Sequence, residues 1–397
     1  MPLPRTPRRL AIIVSHPVQY YVPLYRRLAA KSDLSIKVFF TWHGGDAAVY
    51  DRGFAKKVRW DIPLTEGYEF EVVPNTSSDA GQHHFFGLRN PSLMKRVMQW
   101  RPDAVHVTGW AWHSHLNALR TLHREAVPTL FRGDSHLLDG ELRGIRWQIK
   151  RAVLNRVYSW PSAFLFVGDA NRKYYERFGV RDDRLFPCPH SVDVGRFAEP
   201  AQALQKEAAA WRSQLDIPTD AIVVLFAGKF EAKKRPIELM NAVRTYCDER
   251  IVLIMAGGGE LEKEVRAIAE RDPARFRVLP FQNQSRMPVV YRLGDVFVLP
   301  SAYGETWGLA VNEAMACGVP VVVSDRVGCA ADTIDDSCGR VFPWSDMRAL
   351  TECIHGMTRD ASTVDAMRRA ATKRAWMFDL SRTEEALMRC LSEILPS

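Results

Sequence analysis

Two successive series of short apolar runs, each run followed by a turn and a longer amphipathic stretch, fill this 397-residue chain. The first series is Ala11–Val14, Ile36–Phe40, Ala104–Val107, Thr129–Phe131 and Ala163–Val167. The second is Ile222–Ala227, Ile251–Ala256, Phe276–Leu279, Val296–Leu299 and Val319–Val323. Runs of four to eight residues rich in β-branched side chains, alternating with helical patterns such as Pro236–Tyr246 and Glu260–Glu270, predict parallel sheets built from βαβ units. The fold class expected is therefore α/β, with two doubly wound Rossmann-like domains. The chain is too long for one ordinary core and suits two. Residues 1–200 form the first domain on this reading and residues 215–375 the second. The Ala- and Gln-rich stretch Ala198–Gln214 fits either a linker or a boundary helix. Helical stretches follow at Met347–Met357, Ser362–Arg374 and Arg382–Leu395.

Composition narrows the functional classes. Hydrophobic residues make up 47% and charged residues 25%, the balance of a globular enzyme. No apolar run approaches the roughly 18 residues of a membrane helix. Arg5, Arg8 and Arg9 precede an apolar stretch ending at Ser15, His16 and Pro17, too short for a secretory leader, so it reads as a first strand. Seven cysteines without CxxC spacing argue against a disulfide framework or a zinc site. A cytoplasmic protein is expected. Of the net charge of +8, residues 1–199 hold 29 Lys and Arg against 19 Asp and Glu, while the remainder holds 25 against 27. An anionic partner for the first half and a merely solvated basic surface fit this asymmetry equally. Within 141–158, Arg143, Arg146 and Lys150 lie at helical spacing beside Ile145, Ile149 and Val153. That pattern fits a helix resting on an anionic membrane, or a domain helix with a charged side.

Ligands of doubly wound sheets bind beyond the carboxyl ends of the strands. After Ile222–Ala227 come Gly228, Lys229, Lys233, Lys234 and Pro236, cations gathered at a strand end before a helix. After Val296–Leu299 comes PSAYGETWGLAVNEAMACG, in which a helix starts near Gly308 and Gly318 stops it. Amides around Thr306, Trp307, Gly308 and Leu309 then face an incoming anion. Glu305 lies before that helix and Glu313 inside it, eight residues on. Glu313 as a solvated helix residue and Glu305 as an acidic cap would give the same spacing.

This Glu305-x7-Glu313 segment closely resembles the signature of the retaining GT-B glycosyltransferases called family four, or group 1. FAGKFEAKKRP, IMAGGGELEKEV and RVLPFQNQSRMPVVYRLGDVFVLPS resemble the family's preceding segments. The likeness is strong over 221–345 and weaker through SHPVQYYVPLYRRLA, RGDSHLL, VGDANRKYY and PHSVDVGRF. It implies two domains facing across a cleft, with residues 376–397 packing back on the first. It implies transfer of a sugar, with retention, from a nucleotide diphosphate donor to a glycan, lipid-linked or small-molecule acceptor. Glu313 would hold the ribose, Glu305 the transferred sugar, and Lys229 and Lys234 the diphosphate. Gly228, Gly257, Gly258 and Phe281 would border the nucleotide. His136 would reach the donor sugar, with His16, Gln19 and Asp134 on the acceptor side. The family more often has Arg at the position of Lys229, and a Gly-Gly turn where this chain has Ser15-His16-Pro17.

No D-x-D triplet occurs, so no metal and no cofactor are expected. GGGELE lacks the third glycine of a dinucleotide fingerprint, and no P-loop is present. A nucleic-acid partner is not expected, because basic residues are not interleaved with aromatics. A catalytically silent sugar-nucleotide sensor and a sugar-nucleotide epimerase are the competing readings. Peripheral contact with the inner membrane face is a separate expectation.

Overall fold

The computed structural model describes residues 7–42, 49–51, 53–54, 56–140 and 144–395. Its strands are β1 (Arg8–Val14), β2 (Leu34–Phe40), β3 (Val49–Asp51), β4 (Lys56–Val58), β5 (Glu69–Val72), β6 (Ala104–Thr108), β7 (Thr129–Arg132), β8 (Ala163–Phe166) and β9 (Leu185–Pro187). They continue with β10 (Ile222–Lys229), β11 (Ile251–Gly258), β12 (Phe276–Leu279), β13 (Val296–Leu299), β14 (Val321–Ser324) and β15 (Gly339–Phe342). Among the described residues these form two parallel sheets, ordered β5-β2-β1-β6-β7-β8-β9 and β12-β11-β10-β13-β14-β15, and a β3-β4 hairpin. In each sheet the order runs outward one way from the first strand and then reverses, giving a switch point between β1 and β6 and another between β10 and β13. The fold is α/β with two doubly wound, Rossmann-like sheets.

Val223–Phe226 of β10 and Ile251–Met255 of β11 are almost fully buried, because helices cover both faces of a parallel sheet. The strands missed in the sequence, β3, β4, β5, β9 and β15, lie at sheet edges or in the hairpin and are only three or four residues long. In β5, Glu69 and Glu71 pair with Lys37 of neighbouring β2, at 3.2 and 3.1 Å.

The molecule divides into two compact units. One comprises Met1–Ala47, Pro63–Pro189 and Leu380–Ser397, the other Ala48–Ile62 and His190–Asp379. This corrects the expected break at 200–215, and the reason is local. Val192 bridges to Asp379, whose carboxylate also accepts from the Val194 amide. The boundary segment is a helix, Ala201–Gln214, anchored by Arg212 to Asp295 and to the Leu293 carbonyl. Residues 190–214 thus belong to the second unit, and so does the hairpin. The terminal helix Leu380–Ile394 buries Leu387 and Leu391 in the first unit's core beside Leu24 and Leu28.

Candidate active site

The second unit gathers charge at its switch point. β10 ends in Gly228 and Lys229, and the helix beginning at Pro236 follows. Between them, Lys234 Nζ lies 2.8 Å from Glu305 Oε2, both side chains being about 15% exposed. Ser301 Oγ donates to the same oxygen at 3.2 Å. Burial alone would push the Glu305 carboxyl upward, but Lys234, helped by Lys233 and Ser301, brings it below the usual carboxylate range. Glu305 is therefore ionised at neutral pH. Lys229 Nζ pairs with Asp51 of the hairpin at 2.9 Å. Burial of that carboxyl is outweighed by Lys229 and by the amides of Phe54 and Gly53, and its pKa is lowered.

Backbone geometry explains two glycines here. Gly257 has φ +153° and a side chain there would strike the Gly228 carbonyl at 1.9 Å, so β10 and β11 can run closely side by side only with glycine. Gly308 has φ +96° immediately before the helix Leu309–Ala316. Gly258 lies beside the Glu262 carboxylate, where a Cβ would be 2.9 Å from its oxygen. Trp307 is 2% exposed and donates its indole N–H to Asn312 Oδ1 at 2.9 Å. Its ring is a packing element.

Glu313 sits differently. It is 2% exposed, and Tyr291 donates its hydroxyl to Oε2 at 2.5 Å. Burial raises its pKa to about 7, with Tyr291 and Arg196 pulling weakly the other way. Phe281, past β12, meets Phe54 edge-on at 4.7 Å between centroids, and Lys56 Nζ lies 4.1 Å from the same ring. Sequence reasoning passed over Asp51, Phe54, Lys56 and Tyr291. The first three lie more than 150 residues before their partners, and Tyr291 offers only an ordinary helical tyrosine, so no local spacing signals them.

In the first unit the corresponding ends of β1 and β6 carry a hydrogen-bonded cluster. Gln82 Nε2 donates to Ser15 Oγ at 2.5 Å and lies 2.7 Å from His16 Nδ1, and His16 packs edge-on to Trp42. Gln19 is half-buried just before the helix Val22–Ala29. A cavity of about 170 Å³ opens at the ends of β6 and β7, lined by Gly109, Trp110, Trp112, Gly133, Asp134 and Ser135 among others. His136 follows β7. Its Nδ1 accepts from the Leu138 amide at 3.2 Å, which leaves Nε2 as the ring's donor, buried and without a partner among the described residues.

Residues 207–374 match the family model for glycosyl transferases group 1. The matched segment includes Lys229, Lys234, Glu305 and Glu313. The chain is 31% identical over 206 residues to the D-inositol 3-phosphate glycosyltransferase of Xylanimonas cellulosilytica, a match covering 50% of this chain and 49% of the relative. The chain thus spans about half the length of the curated relatives it matches. Its fold is that of a glycosyltransferase from Rickettsia africae, with a TM-score of 0.73, 14% identity and 98% and 99% of the two chains covered. It is also that of Anabaena HepE, solved in complex with UDP and glucose, with a TM-score of 0.71, 16% identity and 97% and 100% covered. Both sheets of this chain are thus accounted for by the GT-B fold.

Proposed function

We propose that the chain is a retaining, metal-independent glycosyltransferase that takes a sugar from a nucleoside diphosphate donor. The observation that carries this reading is the cluster of Lys229, Lys234 and ionised Glu305 around one strand switch point, inside the segment that matches the family. Departure of the diphosphate builds negative charge, which fixed lysines and the amides before helix Leu309–Ala316 stabilise without reorganisation. Lys234 then exchanges part of its bond to Glu305 for phosphate oxygen, and the freed Glu305 oxygen accepts from the sugar hydroxyls. Glu313, held by Tyr291, accepts from the ribose. His136 Nε2–H is a donor for the transferred sugar. Same-face displacement follows, the leaving phosphate helping to take the acceptor's proton. A UDP-sugar is the first donor to try, because HepE was solved with UDP and glucose. The acceptor is a glycan, lipid-linked glycan or hydroxylated small molecule. The tryptophan-lined cavity with Asp134 at its edge suits such a molecule, since indole faces pack on sugar C–H groups while the carboxylate accepts from hydroxyls.

The test is incubation with UDP-, GDP-, ADP- and dTDP-sugars in EDTA, with release of the nucleoside diphosphate as readout. Slow donor hydrolysis by the native protein, lost in Glu305→Gln, is expected. Binding without any turnover would favour a silent sensor, and a changed sugar still attached to the nucleotide would favour an epimerase.

Peripheral membrane contact rests on a separate observation. Helix Gly144–Tyr158 carries Arg146, Lys150, Arg151 and Arg156 with no acidic residue, and exposes Ile145, Ile149 and Val153. Arg5 and Arg143, which entered the sequence reading, lie outside the described residues. No helix among the described residues is long and apolar enough to cross a membrane. We propose that this helix lies on an anionic bilayer, its apolar stripe inserted and its cations at the headgroups. Co-sedimentation with vesicles rich in anionic lipid at low salt, reduced by Ile145→Asp with Ile149→Asp, is expected. Failure of the native chain to sediment ends this proposal.

A further inference from the structure

The loop that supplies Gln82 to the Ser15–His16 network carries a second constellation. Between β5 and β6, the segment 77–87 folds back on itself. Gly81 N–H donates to the Gly87 carbonyl and Gly87 N–H to the His84 carbonyl, each at 3.1 Å. A Cβ on Gly87 would lie 2.0 Å from the Gly81 carbonyl oxygen, so the two backbone strands of the loop are in direct contact. Asn75 ties the loop down, its Nδ2 donating to the Gly87 carbonyl at 2.8 Å and its Oδ1 accepting from Ser77 N–H at 2.9 Å. The backbone here is held by bonds of its own, and three side chains project from it towards one point.

His83 Nε2 lies 3.0 Å from Asp79 Oδ2, and His84 Nε2 lies 3.3 Å from the same oxygen. All three ligand atoms fall within 4.8 Å of one another. Ligands about 2.0–2.1 Å from a tetrahedral zinc ion are separated from one another by about 3.3 Å, so these spacings are those of a coordination sphere as well as of hydrogen bonds. Gly81 keeps the space open, because a Cβ there would come within 2.6 Å of the His83 ring. The two rings meet edge-on at 4.7 Å between centroids, which turns both nitrogens towards Asp79 instead of stacking them.

We propose that Asp79, His83 and His84 bind a divalent transition-metal ion of the zinc class, with water completing the sphere. Two imidazoles and one carboxylate are a donor set for zinc, cobalt or nickel rather than for magnesium or calcium, which prefer oxygen. The sequence reading is of no metal, and its cysteines argue against a zinc site; this site departs from that reading, lying in the first unit and using no cysteine. Its consequence is positional. Gln82 sits between Gly81 and His83, its side chain on Ser15 and His16 and its carbonyl accepting from Trp112 Nε1 at 3.1 Å. An ion gripping 79, 83 and 84 fixes Gln82, and through it His16 and Trp112, a wall of the cavity at the β6 end.

The experiment uses the untagged full chain stripped with EDTA and dialysed, titrated with Co²⁺ and then challenged with Zn²⁺. The expected result is one Co²⁺ per chain with visible ligand-field absorption, displaced by Zn²⁺, and a melting temperature raised by Zn²⁺. Asp79→Ala and His83→Ala should each weaken binding at least tenfold while melting like the native protein without metal. His355→Ala, in the second unit, should leave binding unchanged. Should either loop variant misfold, the milder His83→Asn provides the same comparison. Absence of stoichiometric binding in the native chain, or equal binding in Asp79→Ala and the native chain, overturns the proposal. Nucleotide-induced stabilisation is expected to be the same with and without the metal, so failure here is distinguishable from failure of the transferase reading.

Discussion

The two sheets share one strand order, yet their switch points are built from opposite chemistry. At the ends of β10 and β13 the second unit places two lysines and two ionised carboxylates in ion pairs, Lys234–Glu305 and Lys229–Asp51. At the ends of β1 and β6 the first unit places Ser15, His16, Gln82 and Trp112, joined by hydrogen bonds. One fold therefore does not dictate one ligand. Ion pairs that an anion can enter suit a diphosphate, whose charge must be met. A hydrogen-bonded network beside indole rings suits a hydroxyl-bearing molecule, whose hydrogen bonds must be matched.

The sharpest way to break the comparison is to remove charge from the second switch point. Lys234→Met should lower turnover by about two to three orders of magnitude, as expected for a lost transition-state partner. It should also cost roughly 2 kcal/mol of stability in urea melts, because Glu305 is left charged and poorly solvated, a figure discounted for its partial exposure. Adding Glu305→Gln should restore the stability and leave the activity lost.

Glu313→Gln is expected to weaken nucleotide binding about tenfold by calorimetry, the scale of a charge-assisted hydrogen bond, while the amide oxygen still accepts from Tyr291. With its pKa raised to about 7, native Glu313 should make nucleotide affinity climb as pH rises through 7, and the Gln variant should lack that rise. The effect on stability runs the other way. The folded state holds a proton that the unfolded chain releases near 4.5, so this group's contribution declines between pH 4.5 and 7, by roughly 3 kcal/mol in all. Glu305 has the opposite sign: its depressed pKa lends stability above the unfolded value, lost as pH falls through the folded one. Smaller effects belong to the edges of the comparison. Asp51→Asn should free Lys229 and tighten nucleotide binding a few-fold, more visibly at low salt. Gln82→Ala should raise the acceptor KM a few-fold with nucleotide affinity unchanged, whereas a matching change in nucleotide affinity would erase the division of labour.

Much of this was legible in the sequence because it is local. Ten apolar runs became ten strands, and the glycine-framed helix after Glu305 begins at Leu309 and ends before Gly318, whose φ is +73°. The state of each carboxylate was not legible. Spacing could put Glu305 and Glu313 near one another, but only packing could pair one with Lys234 and bury the other against Tyr291. The hairpin escaped for a related reason: Asp51 and Phe54 meet Lys229 and Phe281 across long stretches of chain, and contacts of that kind leave no period in the sequence.

We propose that the second unit's charged switch point holds a nucleoside diphosphate without metal. Titration calorimetry in EDTA with UDP, GDP, ADP and dTDP, each against its monophosphate, tests it most directly. One diphosphate is expected to bind at least tenfold more tightly than its monophosphate, and Lys234→Met with Glu305→Gln to erase the difference. Binding that needs a divalent ion, or equal affinity for mono- and diphosphate, would contradict it.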